Sequence, residues 1–314
     1  MAGAARRLAM PLRVDETAAA GRHPYGAEAY AEAIAASQGW TARDVAAWGT
    51  GVTIRPAGPN AWDAAGPYPR TPLAADADLG AGLDQLRAAG LVSVVLVPDP
   101  LASPLQSALA AAFEVCRPFK THLLIDRGKG YAPSKHHRDE IRRAQRRCRV
   151  EVVPLAERLT DWRALYGALV ERRGVAGVAA FPDPYFPVLA RSPAFVAFAA
   201  FVGDEIAAMT IWFEHAGVAV YHLAAASELG YANGAAYALN DAAIAHFGAA
   251  GIVDLGGGAG LADDPGDGLF RFKQGFANAR TIAHLCGAVL DPAAYARLCS
   301  KRASRTSFFP AYRG

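Results

Sequence analysis

The sequence has few cysteines and no paired cysteine motif. Its four cysteines are Cys116, Cys148, Cys286 and Cys299, and none of them stands in a C-x-x-C pair or at the spacing of a zinc-ligand set. This pattern argues against a disulfide framework and against a structural metal site. It predicts reduced thiols, which are typical of a cytoplasmic protein.

Long apolar runs are also missing. The longest runs, residues 92–97 and 195–202, are far shorter than the roughly 20 residues that a helix needs to cross a bilayer. Residues 1–10 include Arg6 and Arg7, but no apolar run follows them, so a secretory signal is not expected. We therefore predict a cytoplasmic protein without a membrane span.

Neither sign of charge dominates the whole chain, but each is unevenly distributed. The formal net charge is only +3 over 314 residues, a length that suggests two domains. Residues 135–149 carry seven Lys or Arg and two Asp or Glu, and residues 271–314 carry eight Lys or Arg and one Asp or Glu. The segment between them, residues 150–270, carries five Lys or Arg and fourteen Asp or Glu. Two basic segments therefore flank an acidic middle.

Apolar periodicity predicts alternating helices and short strands through the whole chain. Helices are expected over residues 26–39, 41–48, 78–89, 105–113, 135–149, 161–173, 235–250 and 267–276. Strands are expected over residues 52–55, 91–97, 121–125, 150–153, 195–202, 207–214, 218–224, 252–255 and 280–288. Residues 56–72 and 175–187 are rich in proline and are expected to be loops.

Five short sequence motifs lie between residues 115 and 290. They are R-P-F-K-T-H-L-L-I-D at 117–126, I-R-R-A at 141–144, Y-H-L-A-A-A-S at 221–227, D-L-G-G-G at 254–258 and L-F-R-F-K-Q-G-F at 269–276. With the order of predicted elements from 135 to 288, they resemble the FemAB-like branch of the GNAT (N-acetyltransferase) superfamily. This branch includes peptidoglycan-bridge aminoacyl transferases, and the last motif is the most specific.

The resemblance implies an α/β (α+β) fold with tandem GNAT-like domains, each a mixed, mostly antiparallel sheet flanked by helices. On this basis we expect a degenerate first domain over residues 1–130 and a catalytic domain over 131–296. A basic tail over 297–314 is expected to return to the first domain. With Phe308, Phe309 and Tyr312, the tail could bind RNA or simply pack on that domain.

The resemblance also implies a donor site. A GNAT fold separates two parallel strands, here 218–224 and 252–255, and the gap admits an acyl carbonyl whose oxygen accepts a backbone N–H. The loop at 230–236 leads to a helix N-terminus, which can bind phosphate. Donor-binding residues are expected at Tyr231, Asn233, Gly234, Ala235 and Phe272. Tyr231 stands where acetyl-CoA enzymes have Gln or Arg, so an ordinary Gly-bearing loop is the alternative.

Lys273 is the main catalytic residue that the resemblance implies. A lysine beside the acyl carrier supplies positive charge where the oxyanion of the tetrahedral intermediate develops. The alternative is an exposed helix lysine, the usual situation for this residue type. Phe270, Phe272 and Phe276 flank Lys273 and favour the buried setting.

His222 and Asp254 are candidate acid–base groups on the predicted central strands. Polar groups are costly there unless they are paired. His222 could take a proton from an attacking amine, or it could be a hydrogen-bonded core histidine. Asp254 could instead brace the turn formed by residues 256–258. His136 and His137 are expected on a solvated face.

The helix predicted over residues 135–149 has a stripe of arginines. Arg138, Arg142 and Arg146 recur four residues apart, and Arg143 and Arg147 form a second row. A polyanion would relieve their mutual repulsion and release counterions, so these five are expected to bind RNA phosphates. The alternative is a plain surface helix.

These features favour an enzyme that moves an aminoacyl group from aminoacyl-tRNA to an amine of a small-molecule or peptidoglycan-precursor acceptor. The product is an amide, and no cofactor or metal is expected. An acyl-CoA-dependent N-acyltransferase is the first alternative. A non-catalytic RNA-binding module is the second, although the intact Lys273 motif argues against it. The sequence leaves the oligomeric state open.

Overall fold

The fold comes from a computed structural model, which describes residues 22–36, 38–74, 76–101, 104–177, 180–260, 263–264, 266–300 and 307–314. Eleven strands lie in these ranges: β1 (Thr41–Val45), β2 (Thr50–Gly58), β3 (Ala61–Ala65), β4 (Ser93–Leu96), β5 (Val115–Asp126), β6 (Arg149–Val153), β7 (Phe195–Val202), β8 (Glu205–His215), β9 (Val218–Ala226), β10 (Ile252–Gly256) and β11 (Ala279–Val289). Ten α-helices accompany them: α1 (Glu28–Ala36), α2 (Leu79–Ala88), α3 (Gln106–Ala112), α4 (Lys135–Gln145), α5 (Leu159–Arg173), α6 (Tyr185–Arg191), α7 (Glu228–Ala232), α8 (Ala235–His246), α9 (Gly268–Gln274) and α10 (Pro292–Cys299). None of these helices combines the length and apolarity that crossing a bilayer requires.

The described strands form one mixed sheet. Their order across the sheet is β1-β2-β3-β4-β11-β5-β10-β9-β8-β7-β6. The pairs β3–β4 and β10–β9 are parallel, and the other neighbours are antiparallel. The predicted α/β class, with a mostly antiparallel sheet flanked by helices, is therefore confirmed.

The three largest hydrophobic cores among the described residues lie against this sheet. The first core, which includes Trp162 and Tyr185, lies where α1, α5 and α6 cover one face of β7–β9. The second core, which includes Trp212 and Leu239, lies under α4 and α8 on the opposite face. The third core, which includes Trp48, lies in the N-terminal half under α2 and α3.

A segment from each half of the chain packs within the other half. Tyr25 and Tyr30, from the start of the described chain, pack in the first core with the C-terminal strands. In the other direction, β11 lies between β4 and β5, and its Cys286 packs in the third core. The division into domains at 1–130 and 131–296 stays a prediction.

Local sequence signals explain where the helices near the site begin and end. The Ser134 hydroxyl accepts the His137 N–H and caps α4. Ile141 and Ala144 of this helix, and Cys148 just after it, are buried. Gly174 ends α5 in the left-handed conformation, with φ at 60°.

Two sequence predictions in the N-terminal half are wrong. Thr41–Val45 is a strand rather than a helix, because it pairs antiparallel with β2 at the edge of the sheet. Residues 56–72 are not all loop, since they contain β3, which pairs with both β2 and β4. In both cases pairing with distant strands overrides the local propensity.

The described end of the tail lies on the N-terminal strands. The Arg313 guanidinium donates to both carboxylate oxygens of Asp63, at 2.6 and 3.0 Å, and the Tyr312 hydroxyl donates to the same group at 2.8 Å. Residues 301–306, which carry three of the basic side chains of the tail, lie outside the described residues, as do residues 1–21. RNA binding by the tail stays a prediction.

Candidate functional site

The two strands that were expected to separate do so. β9 and β10 run parallel until Asp254 lies opposite Val220, and β9 then continues without this partner to Ala226. His222 is an extra residue in β9, because Tyr221 and Leu223 pair with consecutive residues of β8. Such a bulge bends a strand and increases its twist. A gap therefore opens between β9 and the end of β10.

Lys273 lies at the mouth of this gap. Asp267 caps α9 by accepting two backbone N–H groups, and this fixes the helix that carries the lysine. The Lys273 ammonium donates to the Gly257 carbonyl at 2.8 Å and lies 4.9 Å from the centre of the Tyr221 ring. Lys273 is only 6% exposed, so its position matches the buried setting expected for it.

Burial changes the acidity of this lysine. It lowers the pKa of the Lys273 ammonium to about 8, although the nearby carboxylates of Asp254 and Asp267 act in the opposite direction. The charged form therefore predominates at neutral pH but not far above it.

His137 holds α9 in place, contrary to the expectation of a solvated face. It is buried, its Nε2 donates to the Phe272 carbonyl at 2.7 Å, and its Nδ1 lies 3.1 Å from the Ser134 hydroxyl. A Cβ on Gly275 would lie 1.9 Å from the imidazole ring, so the helix and the ring are in close contact. His137 thereby fixes the end of α9, next to Lys273, against α4.

Asp254 is fully buried at the end of β10 and has several partners. Its Oδ1 accepts the Gly256 N–H at 2.7 Å, which is the expected bracing of the turn. Its Oδ2 accepts a hydrogen bond from Arg70 and lies 3.2 Å from His122 Nδ1. Burial opposes its charge, but Arg70 and His122 outweigh this effect and hold the pKa of Asp254 well below its usual range.

Sequence reasoning missed Arg70, which comes from the N-terminal half. Its side chain is 4% exposed, and its Nη1 lies between the carboxylates of Asp254 and Asp99, with the latter at 3.4 Å. Arg70 stands in a proline-rich loop, where no periodicity marks a buried residue. No local pattern of the sequence could have identified it.

His222 lies on the other side of β9 from Lys273. Its Nδ1 and Nε2 are each 2.8 Å from a tyrosine hydroxyl, those of Tyr25 and Tyr185. Burial lowers its pKa to about 3, so the ring is neutral. The ring packs among first-core aromatics, whereas the adjacent Tyr221 packs on Trp212 of the second core. Both nitrogens already have partners, and its role as a base stays a prediction.

The expected donor loop joins α7 to α8. Gly234 has a φ of 69°, a left-handed conformation that favours glycine, and α8 begins after it without a side-chain cap. The Asn233 amide donates to the Leu229 carbonyl at 2.9 Å, and Ala235 is fully buried. The first N–H groups of α8 therefore have no capping side chain and could bind an anion.

Arg172 supplies a cation beside this loop. In the loop itself, Tyr231 stands at the position where acetyl-CoA enzymes have Gln or Arg. Its guanidinium carbon lies 4.6 Å from the centre of the Tyr231 ring, and its Nη2 lies 3.1 Å from the Tyr231 hydroxyl. Tyr231 itself is 52% exposed. Arg172 belongs to α5, so only the fold brings it to the loop.

The predicted RNA-binding arginines lie on the outer side of α4 and on the turn that follows it, where Arg146 and Arg147 stand. All five are exposed: Arg138, Arg142, Arg143, Arg146 and Arg147. Arg142 pairs with Asp139 at 3.1 Å and Arg143 with Glu140 at 2.6 Å. The inner side of α4 packs on α8, where a Cβ on Gly234 would lie 3.6 Å from Ala144. The helix that carries most of these arginines therefore packs next to the donor loop.

Phe272 lies on the same side of the molecule. It is half-buried, and its ring centre is 5.1 Å from that of Tyr237 on α8 and 5.7 Å from that of His137. The donor loop, α4 and the Lys273 helix are thus connected by aromatic contacts.

Across the described ranges, no three His, Cys, Asp or Glu side chains are grouped as metal ligands would be. The four cysteines are free, although the sulfurs of Cys116 and Cys286 lie 3.7 Å apart on neighbouring strands. That the protein uses no metal and no cofactor stays a prediction.

Residues 135–274 match the family model described as an acetyltransferase (GNAT) domain. Among solved structures, FemX aligns with a TM-score of 0.56 at 13% identity, over 86% of this chain and 92% of that chain. The C-terminal domain of a putative lysylphosphatidylglycerol synthetase from Agrobacterium fabrum aligns with a TM-score of 0.57 at 14% identity, over 86% and 89%. A conserved protein of unknown function from Bacteroides thetaiotaomicron aligns with a TM-score of 0.60 at 14% identity, over 87% and 93%.

None of the curated proteins matches the chain by sequence. At the identities above, structural likeness shows the fold and not the substrate. The fold expected from the FemAB-like resemblance is confirmed.

Proposed function

We propose that this FemAB-like, GNAT-type acyltransferase moves an aminoacyl group from aminoacyl-tRNA to an amine of a small-molecule or peptidoglycan-precursor acceptor. The observation that carries the proposal is the buried ammonium of Lys273 at the gap between β9 and β10. An acyl carbonyl placed in this gap would develop its negative charge beside that ammonium. A preorganised cation in such a dry site is an effective oxyanion stabiliser.

The surface beside the donor loop supports an RNA donor. Five exposed arginines of α4 and the turn that follows it face solvent, and the acids that pair with two of them belong to the same helix. A single pyrophosphate would need only the α8 N-terminus and one cation, whereas a tRNA acceptor stem presents a row of phosphates. The arginine stripe suits the longer polyanion.

Replacing Arg142 and Arg146 together by alanine is expected to raise the KM for charged tRNA and leave the acceptor KM unchanged. Each lost phosphate contact should flatten the slope of log K against log salt by about 0.7–0.9. The measurement is transfer from charged tRNA at several salt concentrations. The matched control is alanine at Arg43 and Arg87, two exposed arginines of β1 and α2 that remove the same charge elsewhere.

An acyl-CoA donor is the second candidate, and the donor loop itself favours it. The uncapped start of α8 and the Arg172 guanidinium could together hold one pyrophosphate. This alternative predicts that the Arg142 and Arg146 double variant is nearly silent. The acyl-CoA alternative would be supported by robust turnover of acyl-CoA that is unaffected by RNase and by the double substitution. RNA binding with turnover of neither donor would indicate a non-catalytic RNA-binding module.

The pH dependence of kcat/KM should reflect Lys273. If the ammonium form stabilises the oxyanion, activity should be present below a pKa of about 8 and decline as the pH rises through it. The groups that act on this pKa are Asp254, Asp267, Lys120 and Arg70. Initial rates between about pH 6 and about pH 10 would measure this decline. The residual activity of Lys273→Ala should not decline over this range. An unchanged decline in that variant would assign the titration to another group.

A further inference from the structure

We propose that His122 is the general base that takes the proton from the acceptor amine, with Asp254 and Arg70 as positioning residues. This inference rests on the transferase function proposed above. His122 lies on β5, two residues before Leu124, which pairs with Asp254. Residues two apart on a strand share a face, so the imidazole comes to lie beside the Asp254 carboxylate at the end of β10.

The hydrogen-bond partners determine which ring nitrogen of His122 carries the proton. Arg70 Nη1 has two hydrogens and lies near two carboxylate oxygens, those of Asp254 and Asp99, as well as 3.3 Å from His122 Nδ1. One of these hydrogens is donated to Asp254, whereas Arg70 and Asp99 form an ion pair. His122 Nδ1 lies within hydrogen-bond reach of both the Arg70 guanidinium and the Asp254 carboxylate, at 3.3 and 3.2 Å. We assign the proton to Nδ1 because a hydrogen bond to an ionised carboxylate is stronger than one to a neutral imidazole. In this tautomer the lone pair is on Nε2.

His122 Nε2 is open to a substrate. Across the described ranges this nitrogen has no hydrogen-bond partner in the protein. The His122 residue is buried but not fully enclosed, since 7% of it is exposed. His222 differs, since tyrosines occupy both of its nitrogens.

The carboxylate beside His122 is held in place by ion pairs. Arg70 pairs with both Asp254 and Asp99, and the Asp254 carboxylate lies 3.2 Å from His122 Nδ1. A carboxylate in this position orients the imidazole and stabilises the imidazolium that forms while the proton is transferred.

Gly256 connects the pair formed by His122 and Asp254 to Lys273. Its N–H donates to Asp254 at 2.7 Å, and a Cβ at the same residue would lie 3.4 Å from the Lys273 ammonium. Asp254, which orients the proposed base, and Lys273, the oxyanion stabiliser, therefore both lie at the end of β10, where the gap opens. This arrangement has a base, a residue that orients the base and a cation for the oxyanion.

The amine nitrogen attacks the ester carbonyl carbon of the donor, a C–N bond forms, and the carbonyl π pair moves to the oxygen beside Lys273. The attacking nitrogen gives one proton to His122 Nε2. The carbonyl then re-forms, the C–O ester bond breaks, and the ribose hydroxyl of the tRNA leaves with the proton from His122.

The test is His122→Asn, whose amide can still donate to Asp254 from the place of Nδ1 but cannot accept a proton in the place of Nε2. We expect kcat for transfer from charged tRNA to fall by about 10²–10⁴, with little change in either KM. The companion variant is His122→Ala, in which added imidazole should restore part of kcat in a saturable way. Lys273→Ala should show no such rescue.

The outcomes separate the two proposals. If the wild-type protein transfers no aminoacyl group, the proposed function fails. If it does, and folded His122→Asn retains activity within a factor of a few, the base is another group. A loss in His122→Ala that imidazole does not restore also overturns the inference. Circular dichroism and thermal melting establish that each variant is folded.

Discussion

Lys273→Ala should lower kcat by about 10²–10³ while the protein stays folded, because removing one oxyanion stabiliser costs roughly this factor. The ammonium lies at the gap, hydrogen-bonded to the Gly257 carbonyl and stacked over Tyr221. Single-turnover rates with saturating donor and acceptor would measure the chemical step. The KM values should change little, since the charge is needed most in the transition state.

The matched control is Gln274→Ala. Gln274 is the next residue of α9 and is exposed, so this change tests the helix without touching the gap. In thermal melting, the midpoint of Lys273→Ala should equal or exceed that of the control. The reason is that burying an ammonium group costs folding free energy, which the substitution removes. A Lys273→Ala enzyme within a factor of a few of wild type would remove Lys273 from the mechanism.

Arg70→Met should lower the free energy of unfolding by about 3–5 kcal/mol, the usual cost of breaking a buried ion pair by removing one partner. Asp99 and Asp254 are 2% and 0% exposed, and both depend on the Arg70 guanidinium. Without it, two carboxylates face each other in a dry site. Urea-induced unfolding at neutral pH, followed by fluorescence, measures the loss.

Two further variants make this test specific. Arg87→Met breaks the exposed pair with Asp84, and such pairs contribute only about 0–1 kcal/mol. Adding Asp254→Asn to Arg70→Met should recover part of the stability, because one of the two stranded charges is gone. Equal stabilities for Arg70→Met and Arg87→Met would contradict a structural role for the Arg70 ion pairs.

The sequence predicted the elements around the gap well. The strands at 195–202, 218–224 and 252–255 agree with β7, β9 and β10, since each is a short apolar run bounded by turn residues. The setting of Lys273 followed from a motif with three phenylalanines, whose pattern makes a buried face. The edge strand β1 was missed because edge pairing depends on a partner strand and not on local periodicity.

The sequence by itself determined the local chemistry of this protein: a lysine in an apolar helix, a glycine before the α8 N-terminus and an arginine-rich α4. Only the tertiary structure decided which distant groups reach the same place. Arg70 and Asp254 are 184 positions apart, and Arg172 and Tyr231 are 59 apart. Strand pairing and core packing create those contacts. Burial then makes each uncompensated charge costly, so the buried carboxylates require partners from elsewhere in the chain.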